Sequence, residues 1–339
     1  MSLLSIVLIS AVCLLTAYFT YGRLLARLLG LRADVPTPAV ELRDDVDYAP
    51  IDSKFLLSQH FSAIAAAGPI VGPILAGVLF GWLPALIWIL VGSIFIGGVH
   101  DMTALVASIR HKARSIAEVV RDHMSRRSYI LFLSFVWLAL VYIIVAFTDV
   151  TASSFLGMQE LESGEQITGG GIATSSLLYL ALPIAMGLLL RYTKLSVGMA
   201  TAIFLPLVGV SIWIGQFIPF DISTIFGLDK AHAQQTWNVA LLVYCLIASV
   251  LPMWLLLQPR GHLGGYFLYI ALFTGMLGII LGGQTIQYPM FKGFDVASAD
   301  GAVQPLFPLL FITIACGACS GFHSIIASGT TSKQLRTEP

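Results

Sequence analysis

Two Gly-Pro pairs, Gly68-Pro69 and Gly72-Pro73, lie four residues apart inside an apolar run that is long enough to cross a membrane. A proline has no amide hydrogen, and its ring clashes with the carbonyl four residues back. A helix is therefore predicted to kink or break near Gly68, which would leave the carbonyls of Ala65 and Pro69 without their usual partners. In hydrocarbon, such carbonyls are tolerated only where they face protein, water or a ligand. The pattern indicates either a binding site at a discontinuous helix or a structural kink packed by small residues.

The composition excludes a soluble protein. Hydrophobic residues make up 57% of the chain and charged residues 11%, whereas soluble domains are about 25% charged. The formal net charge is zero, so no nucleic-acid partner is expected. No Walker A sequence occurs, which argues against ATP-driven transport by this chain alone. The four cysteines all lie in apolar runs, and neither a disulfide framework nor a cofactor is predicted.

Apolar runs of about 20 residues, the length needed to cross a bilayer, recur along the whole chain. We predict an all-α, polytopic membrane helical bundle that forms a single transmembrane domain over residues 1–339. The first run has no basic residue before it and no clear cleavage site, so it is interpreted as a retained span rather than a signal peptide. The nine predicted spans are residues 3–21, 55–80 (broken), 83–109, 129–149, 173–190, 195–218, 236–257, 264–282 and 305–327.

The basic residues predict the orientation of these spans. Sixteen of the 18 Lys and Arg residues fall on one side of the nine-span arrangement, and only Lys230 and Lys292 fall on the other. Because the basic side is normally cytoplasmic, the N-terminus is predicted outside and the C-terminus inside. The basic segment 110–128 is predicted to contain a short amphipathic cytoplasmic helix, in which Ser115 and Glu118 have capping-box spacing. It is interpreted as a solvated, topology-setting helix, with lipid or partner binding as the alternative.

Ionisable residues inside spans are costly and are therefore functional candidates. His60 precedes the predicted break, His100 and Asp101 lie in the third span, Asp149 lies at the end of the fourth, and His323 lies in the ninth. Imidazoles titrate near physiological pH, so His60 and His323 are candidate proton relays, with Asp101 as a third. The alternatives are interhelical hydrogen bonds for the histidines and interfacial caps for the two aspartates.

The ninth span carries a stripe of hydroxyl groups. Ser320, Ser324 and Ser328 are spaced by four and are predicted to share one helix face. Gly317 and Gly321 form a small-xxx-small pair that lets another helix approach closely. The stripe indicates either a wall of a cation or substrate site or a set of hydrogen bonds between helices.

We predict that the broken second span and the end of the ninth span pack together. A cation needs several oxygen ligands, and neither segment supplies enough alone. Ala65, Gly68 and Ser328 are expected to lie close together beside a small polar cavity that is occluded or open toward the cytoplasm. The predicted binding residues are His60, Ala65, Gly68, Pro69, Ser324, Ser328, Thr330 and Thr331.

Two further patterns bear on this interpretation. Cys316 and Cys319 have the spacing of a metal or redox pair, but they stand without a second pair in a Gly/Ala-rich span, so no metal site is predicted. Pro252 lies within the predicted seventh span and makes it a second proline-interrupted span, opposite in direction to the first. Interrupted spans in corresponding places of two inverted halves are typical of transporters.

Several stretches together resemble the carbon starvation protein A (CstA) family over nearly the whole chain. The family signature is carried by Gln59-His-Phe-Ser-Ala-Ile-Ala-Ala-Ala-Gly-Pro-Ile-Val-Gly-Pro73. The other matching stretches are Phe80-Gly-Trp-Leu-Pro84, Gly97-Gly-Val-His-Asp101, Arg114-Ser-Ile-Ala-Glu118, Trp254-Leu-Leu-Leu-Gln-Pro-Arg260, Cys316-Gly-Ala-Cys-Ser-Gly-Phe-His-Ser324 and Ser328-Gly-Thr-Thr-Ser-Lys333.

The chain also departs from the family pattern. Many members have His-His where this chain has Gln59-His60, Gln-Asp where it has His100-Asp101, and Pro-Arg-Asp-Tyr where it has Pro259-Arg-Gly-His262. These differences suggest a separate branch, so the substrate is not carried over. Family members are longer, so the resemblance implies an N-terminal portion that C-terminal spans or a second polypeptide would complete.

The resemblance implies a multi-pass secondary transporter of the inner membrane. The family is associated with peptide uptake during carbon starvation and, in some members, with proton-coupled pyruvate uptake. The implied partners are the lipid bilayer and a small-molecule substrate, peptide or pyruvate, that moves with a proton or sodium ion. The implied fold has two inverted five-helix repeats, in which the second and ninth spans would be the first and eighth core helices. Those two core helices often share a cation site.

Two other classes of function remain as alternatives. One is a membrane-embedded enzyme that would use His100 and Asp101, or the pair Cys316 and Cys319. The other is a non-transporting membrane scaffold or sensor. An enzyme needs an acid, a base and a nucleophile converging in one pocket, whereas this chain shows interrupted spans and scattered ionisable residues. The sequence therefore favours a transporter over an enzyme.

Overall fold

The computed structural model describes residues 2–65, 67–160, 166–297 and 303–338 and is almost entirely helical. Three π-helical segments continue or join the α-helices, at Tyr18–Gly22, Gly92–Gly97 and Ala327–Thr331. Four short strands form two antiparallel hairpins, β1 (Met158–Glu160) with β2 (Gln166–Thr168) and β3 (Asp295–Ala297) with β4 (Val303–Pro305). The α-helices are α1 Leu3–Ala17, α2 Arg23–Leu28, α3 Pro38–Glu41, α4 Ser53–Ile64, α5 Ala67–Phe80, α6 Trp82–Val91, α7 Gly98–Arg110, α8 Ile116–His123, α9 Arg126–Leu156, α10 Gly170–Tyr192, α11 Val197–Phe217, α12 Ile222–Phe226, α13 Lys230–Val250, α14 Leu257–Gly282, α15 Leu306–Ala318 and α16 Gly321–Ile326.

The predicted all-α, multi-span architecture is confirmed. Within the described residues, eight helices are long and apolar enough to cross a membrane, and a bent helix pair makes nine. The bent pair is Ser53–Ile64 with Gly68–Phe80, and its two parts meet at 47°. Large apolar side chains cover much of the outer surface of these helices, as expected where hydrocarbon rather than water is the solvent.

The chain divides into two compact units. The first comprises Met1–Met124 and Leu268–Pro339, and the second comprises Ser125–Phe267. In the first unit, α5, α6 and α15 share a core built from Ala76, Phe80, Ala85, Leu310 and Ile314. The second unit has two cores, one built from Ala152, Phe155, Ala173, Ile222, Ala233 and Trp237 and the other from Met186, Ala200, Phe204, Val208 and Leu263.

The second span breaks where the Gly-Pro sequence predicted. Helix α4 ends at Ile64, and Ala65 leaves the helical region with ψ 52°. Helix α5 begins at Ala67 and continues through Pro73. Pro69 therefore lies in the first turn of α5, where a missing N–H group costs nothing. Pro73 is the internal proline, and it has no N–H to donate to the Pro69 carbonyl.

The interpretation of the seventh span as proline-interrupted is wrong. Helix α13 ends at Val250, and Leu251 is extended, with φ −77° and ψ 144°. Proline restricts the residue before it to extended conformations, so Pro252 ends the helix rather than kinking it. The next helix, α14, begins at Leu257 and has Pro259 in its first turn.

The basic segment after the third span forms the predicted short helix, α8. Ser115 accepts a hydrogen bond from the Glu118 N–H, and the Glu118 carboxylate accepts one from the Ser115 N–H, which completes the capping box. Lys112 and Ala113 precede it with φ values of 62° and 52°. These φ values lie in the left-handed region of backbone conformation, where non-glycine residues are strained. The two residues reverse the chain so that α8 returns toward α7.

The loop between the first two spans is ordered around one carboxylate. Asp44 Oδ1 accepts hydrogen bonds from the backbone N–H groups of Tyr48, Val46 and Asp47, and these donors hold the pKa of Asp44 below its ordinary value. The Tyr48 hydroxyl donates to the Lys112 carbonyl at 3.0 Å, and burial raises the pKa of Tyr48. The loop is therefore fastened to the turn that precedes α8.

Candidate functional site

The ninth span is broken, as the second span is. Helix α15 ends at Ala318, and Cys319 is non-helical, with φ −155° and ψ 65°. Ser320 begins the next helix, α16, as its N-cap and accepts a hydrogen bond from the Phe322 N–H at 3.2 Å. The prediction that Ser320 shares one helix face with Ser324 and Ser328 is therefore wrong, because the hydroxyl of Ser320 competes with helical backbone hydrogen bonds and favours a cap.

The two broken spans pack against each other, as predicted. A Cβ atom added at Gly68 would overlap the Cys316 thiol, and one added at Gly72 would overlap the backbone carbonyl of Thr313. A Cβ atom at Gly317 would lie 3.2 Å from Pro69 Cα. Glycines on both partners thus permit the close approach, which places the end of α15 beside the start of α5.

A carboxylate and two imidazoles meet beside this crossing. Asp101, on α7, has its Oδ1 atom 2.7 Å from His100 Nδ1 and its Oδ2 atom 3.2 Å from His323 Nδ1. The His323 side chain, on α16, is 3% exposed, and that of Asp101 is 27% exposed. The carboxylate therefore bridges a histidine of its own helix and a buried histidine of the ninth span.

The third histidine ties the second span to the ninth. His60 Nδ1, on α4, lies 2.7 Å from the hydroxyl oxygen of Thr331, at the end of the π-helical segment Ala327–Thr331. Of the three predicted relay residues, Asp101 and His323 are therefore bonded to each other, whereas His60 is bonded to Thr331, in the same span as His323.

The hydroxyls of the ninth span make a second set of contacts. Ser328 Oγ donates to the Ser324 carbonyl at 2.6 Å and accepts from the Ile116 N–H at 3.0 Å. Ser108 Oγ lies 2.9 Å from the Ser328 carbonyl and 2.9 Å from Ser332 Oγ. Ser108, Ser328 and Ser332 are fully buried. This set joins the end of α7 and the start of α8 to the end of the ninth span.

The predicted binding residues are thus distributed between two contact regions. Gly68 and Pro69 lie at the helix crossing, and Ser328 lies among the buried hydroxyls. The predicted proximity of Ala65, Gly68 and Ser328, and the polar cavity beside them, stay predictions. Ser324 Oγ donates to the Gly321 carbonyl, and the Thr330 carbonyl accepts from Gln334 Nε2.

Sequence reasoning missed three members of these groups. His100 is paired with Asp101 only in the enzyme alternative and is not among the predicted relay or binding residues. Ser332 continues the spacing of four from Ser324 and Ser328, so periodicity could have found it. Ser108 is a lone serine on another span, and its partner could not be read from spacing.

The aspartate of the fourth span is also placed differently from the prediction. Asp149 does not cap the end of that span, because α9 continues to Leu156. Its Oδ1 atom accepts hydrogen bonds from Gln234 Nε2 at 3.0 Å and from Asn238 Nδ2 at 3.5 Å, both on α13. Asp149 therefore links two long helices of the second unit.

A membrane protein with two broken spans crossing beside a carboxylate–imidazole group has the architecture expected of a secondary transporter. The chain belongs to the family described as carbon starvation protein CstA, whose sequence pattern matches residues 2–339. Curated relatives support this membership. The peptide transporter CstA of Bacillus subtilis (strain 168) is 36% identical over 338 residues, which cover 99% of this chain and 54% of that protein.

Two proteins of Escherichia coli (strain K12) are also similar. The peptide transporter CstA is 35% identical over 98% of this chain and 46% of its own length. The pyruvate/proton symporter BtsT is 33% identical over 99% of this chain and 45% of its own length. The chain thus spans about half the length of the curated relatives it matches. No solved structure matches it.

Proposed function

We propose that this chain forms the ion-coupling part of an inner-membrane secondary transporter that takes up a peptide or a small carboxylate such as pyruvate with a proton. The observation that carries the proposal is the Asp101 carboxylate, which is bonded to His100 and to His323 beside the crossing of two broken spans. The relatives are named as a peptide transporter and a pyruvate/proton symporter. Those names also favour a transporter over an enzyme or a scaffold.

The chemistry of the group suits reversible proton binding. A carboxylate between two imidazoles can accept one proton, and the proton then changes the charge of the group. Because the Asp101–His323 contact joins α7 to α16, loading the group changes the attraction between the third and ninth spans. The His60–Thr331 contact joins the ninth span, which carries His323, to α4 as well. Proton binding is thereby linked to the helices that form both breaks.

Sodium is the alternative coupling ion, and the buried hydroxyls are the observation that favours it. Hard cations prefer several oxygen ligands, and the ninth span places the Ser328 carbonyl and Ser332 Oγ each 2.9 Å from the hydroxyl oxygen of Ser108. In this alternative, the freed carbonyls near Ala65 and Pro69 would supply the remaining ligands.

Replacing Ser328 by alanine together with Thr331 by valine distinguishes the two coupling ions. With a sodium site, uptake at limiting sodium is expected to fall at least about tenfold, because lost charge-assisted contacts are worth roughly 1.5–3 kcal/mol each. If the coupling ion is a proton, uptake does not depend on sodium concentration in either the wild type or the variant. Uptake is measured in cells expressing the chain from its native locus, with membrane abundance measured in parallel. Equal losses of uptake and abundance would mean that the hydroxyls only hold the helices together.

The proposed orientation has its own test. The charge distribution places the N-terminus outside and the loop around residue 120 in the cytoplasm. A reporter fused after residue 120 is expected to give an internal signal, and one fused after residue 160 an external signal. The reverse pattern would contradict both the orientation and the proposed direction of uptake.

A further inference from the structure

The two parts of the second span are held to the ninth span in different ways. Helix α5 packs on α15 through the glycine contacts and a shared apolar core. Helix α4 meets the end of the ninth span through polar contacts, one of which is the bond between His60 and Thr331. That end of the ninth span is anchored separately, because buried serines bond it to α7. Ala65, which leaves the helical region between α4 and α5, is therefore a hinge about which α4 can move.

Backbone hydrogen bonds fasten the start of α4 to the chain that follows the ninth span. The Ala49 N–H group donates to the Lys333 carbonyl at 3.2 Å. The Ile51 N–H group donates to the Gln334 carbonyl at 3.1 Å. Ile51 lies just before α4, and Lys333 lies just after the ninth span, which ends at Thr331. The end of one broken span is thus tied directly to the end of the other.

Side chains strengthen the same fastening. The Tyr48 hydroxyl donates to the Lys112 carbonyl at 3.0 Å, and the Lys333 ammonium lies over the Tyr48 ring, 5.5 Å from its centroid. The Thr37 hydroxyl donates to the Leu335 carbonyl, and Thr37 is fully buried. Donors of the loop between the first two spans therefore converge on the short segment after the ninth span.

Hydrogen bonds of this kind can hold a closed state and still be released. Lys333, Gln334 and Leu335 present consecutive carbonyls to the loop, and they belong to a turn and the chain after it rather than to a helix or strand. Each bond changes an opening equilibrium by roughly two- to tenfold. Several such bonds together keep the closed form dominant, whereas water can replace them one at a time as the segment leaves the loop.

We propose that this segment and the loop form a latch that holds one face of the transporter closed. The members of the latch are Thr37, Tyr48, Ala49 and Ile51 of the loop and Lys333, Gln334 and Leu335 of the segment. Release of the latch lets α4 swing about Ala65 away from the end of the ninth span, which exposes Thr331 to that face. The inference rests on the proposed transport function, because a gate acts only where a substrate or an ion passes.

A reversible crosslink tests the latch on the purified full chain in lipid nanodiscs. Ala49→Cys with Lys333→Cys places thiols on two residues that share a backbone hydrogen bond, which suits the Cα separation of a disulfide. Ser58→Cys supplies the reporter, because Ser58 lies on α4 and is 1% exposed. Alkylation of the reporter by N-ethylmaleimide, followed by mass spectrometry, is expected to be at least about tenfold slower after oxidation with copper phenanthroline, since labelling requires the open form. Reduction with dithiothreitol, removed before labelling, should restore the rate, and oxidant should change it less than about twofold in the chain that carries Ser58→Cys alone.

Weakening the latch should have the opposite effect on the same reporter. Tyr48→Phe and Thr37→Val each remove one hydroxyl donor, and each is expected to speed alkylation at Ser58→Cys about two- to tenfold. Tyr142→Phe is the control for the tyrosine, because Tyr142 is exposed on α9 in the second unit. Thr20→Val is the control for the threonine, because the Thr20 hydroxyl bonds a carbonyl of its own span. Both controls should leave the rate within about twofold.

Equal alkylation of the oxidised and reduced crosslink variant would overturn the inference, and so would unchanged rates in both Tyr48→Phe and Thr37→Val. Thermal unfolding identifies a variant that is merely destabilised, and the crosslink then decides, because its two states are the same chain. In proteoliposomes, the disulfide is expected to lower uptake at least about tenfold, and unchanged uptake would refute the gating role. Failure of the proposed transport function is recognised separately, because the reduced protein would then take up neither peptide nor pyruvate, while alkylation would still report on the latch.

Discussion

Replacing Asp101 by asparagine is expected to abolish the pH dependence of substrate uptake. Asparagine keeps the size of the side chain and can still bond both histidines, but it cannot hold a negative charge or accept the proton. Uptake driven by an imposed proton gradient should fall at least about 100-fold, since one charged contact to each imidazole is lost, each worth roughly 1.5–3 kcal/mol. Cells expressing the chain from its native locus are assayed from pH 5 to pH 8, with membrane abundance measured by immunoblotting.

The matched controls separate this role from folding. Asp295→Asn removes an acid of the β3–β4 hairpin and should leave the pH profile unchanged. His60→Gln and His323→Gln test the two imidazoles, and at least one of them should flatten the profile while the protein stays in the membrane. A wild-type pH profile in Asp101→Asn would refute the proton role of the group. If Asp101→Asn lowers the amount of protein in the membrane, the ratio of uptake at pH 5 to uptake at pH 8 still tests the proton role, because that ratio does not depend on protein amount.

Replacing Gly72 by alanine is expected to destabilise the protein, although alanine favours a helix by about 1 kcal/mol over glycine. The added Cβ would fall on the backbone carbonyl of Thr313, which belongs to a helix and cannot move aside as a flexible side chain could. Overpacking of this kind costs about 1–3 kcal/mol. We expect less folded protein in detergent and a lower unfolding temperature.

Gly77 on the same helix is the matched control. A Cβ atom there has no neighbour within 4 Å, so Gly77→Ala should be neutral or stabilising. Opposite signs for the two substitutions would show that the crossing with α15 requires Gly72. Equal effects would contradict the close contact. Gly68→Ala adds a second check, because its added Cβ meets the Cys316 side chain and Cys316→Ala should partly reverse the loss.

For the break in the second span, the local sequence predicted the position but not the extent. The Gly-Pro pairs located the interruption near Gly68, since a proline without an amide hydrogen acts on its own helix. The Gly-Pro pairs did not determine how many residues the break includes. Pro69 is compatible with the first turn of a helix, and it lies in the first turn because α5 begins at Ala67. For Pro252 the same rule led to the wrong choice, since a proline near the end of an apolar run can end a helix as well as kink it.

The candidate site was also only partly predictable from the sequence. Asp101, His60 and His323 were found in the sequence because ionisable residues are rare inside spans. The bond of Asp101 to His323 could not be read from it, since the two residues lie 222 positions apart and meet only when α7 packs against α16. Ser320 was assigned to a helix face by spacing, but its hydroxyl caps α16, an outcome that depends on where α15 ends.

The sequence by itself determined the membrane class, the nine spans, the short α8 helix and the place of the first break. Each of these depends on composition, periodicity or a proline acting within a few residues. Only the tertiary structure decided that both broken spans cross at Gly68, Gly72 and Gly317, that Asp101 bridges two histidines, and that Asp149 faces two amides. Those contacts join residues far apart in the chain, so they depend on how the helices pack rather than on any local pattern.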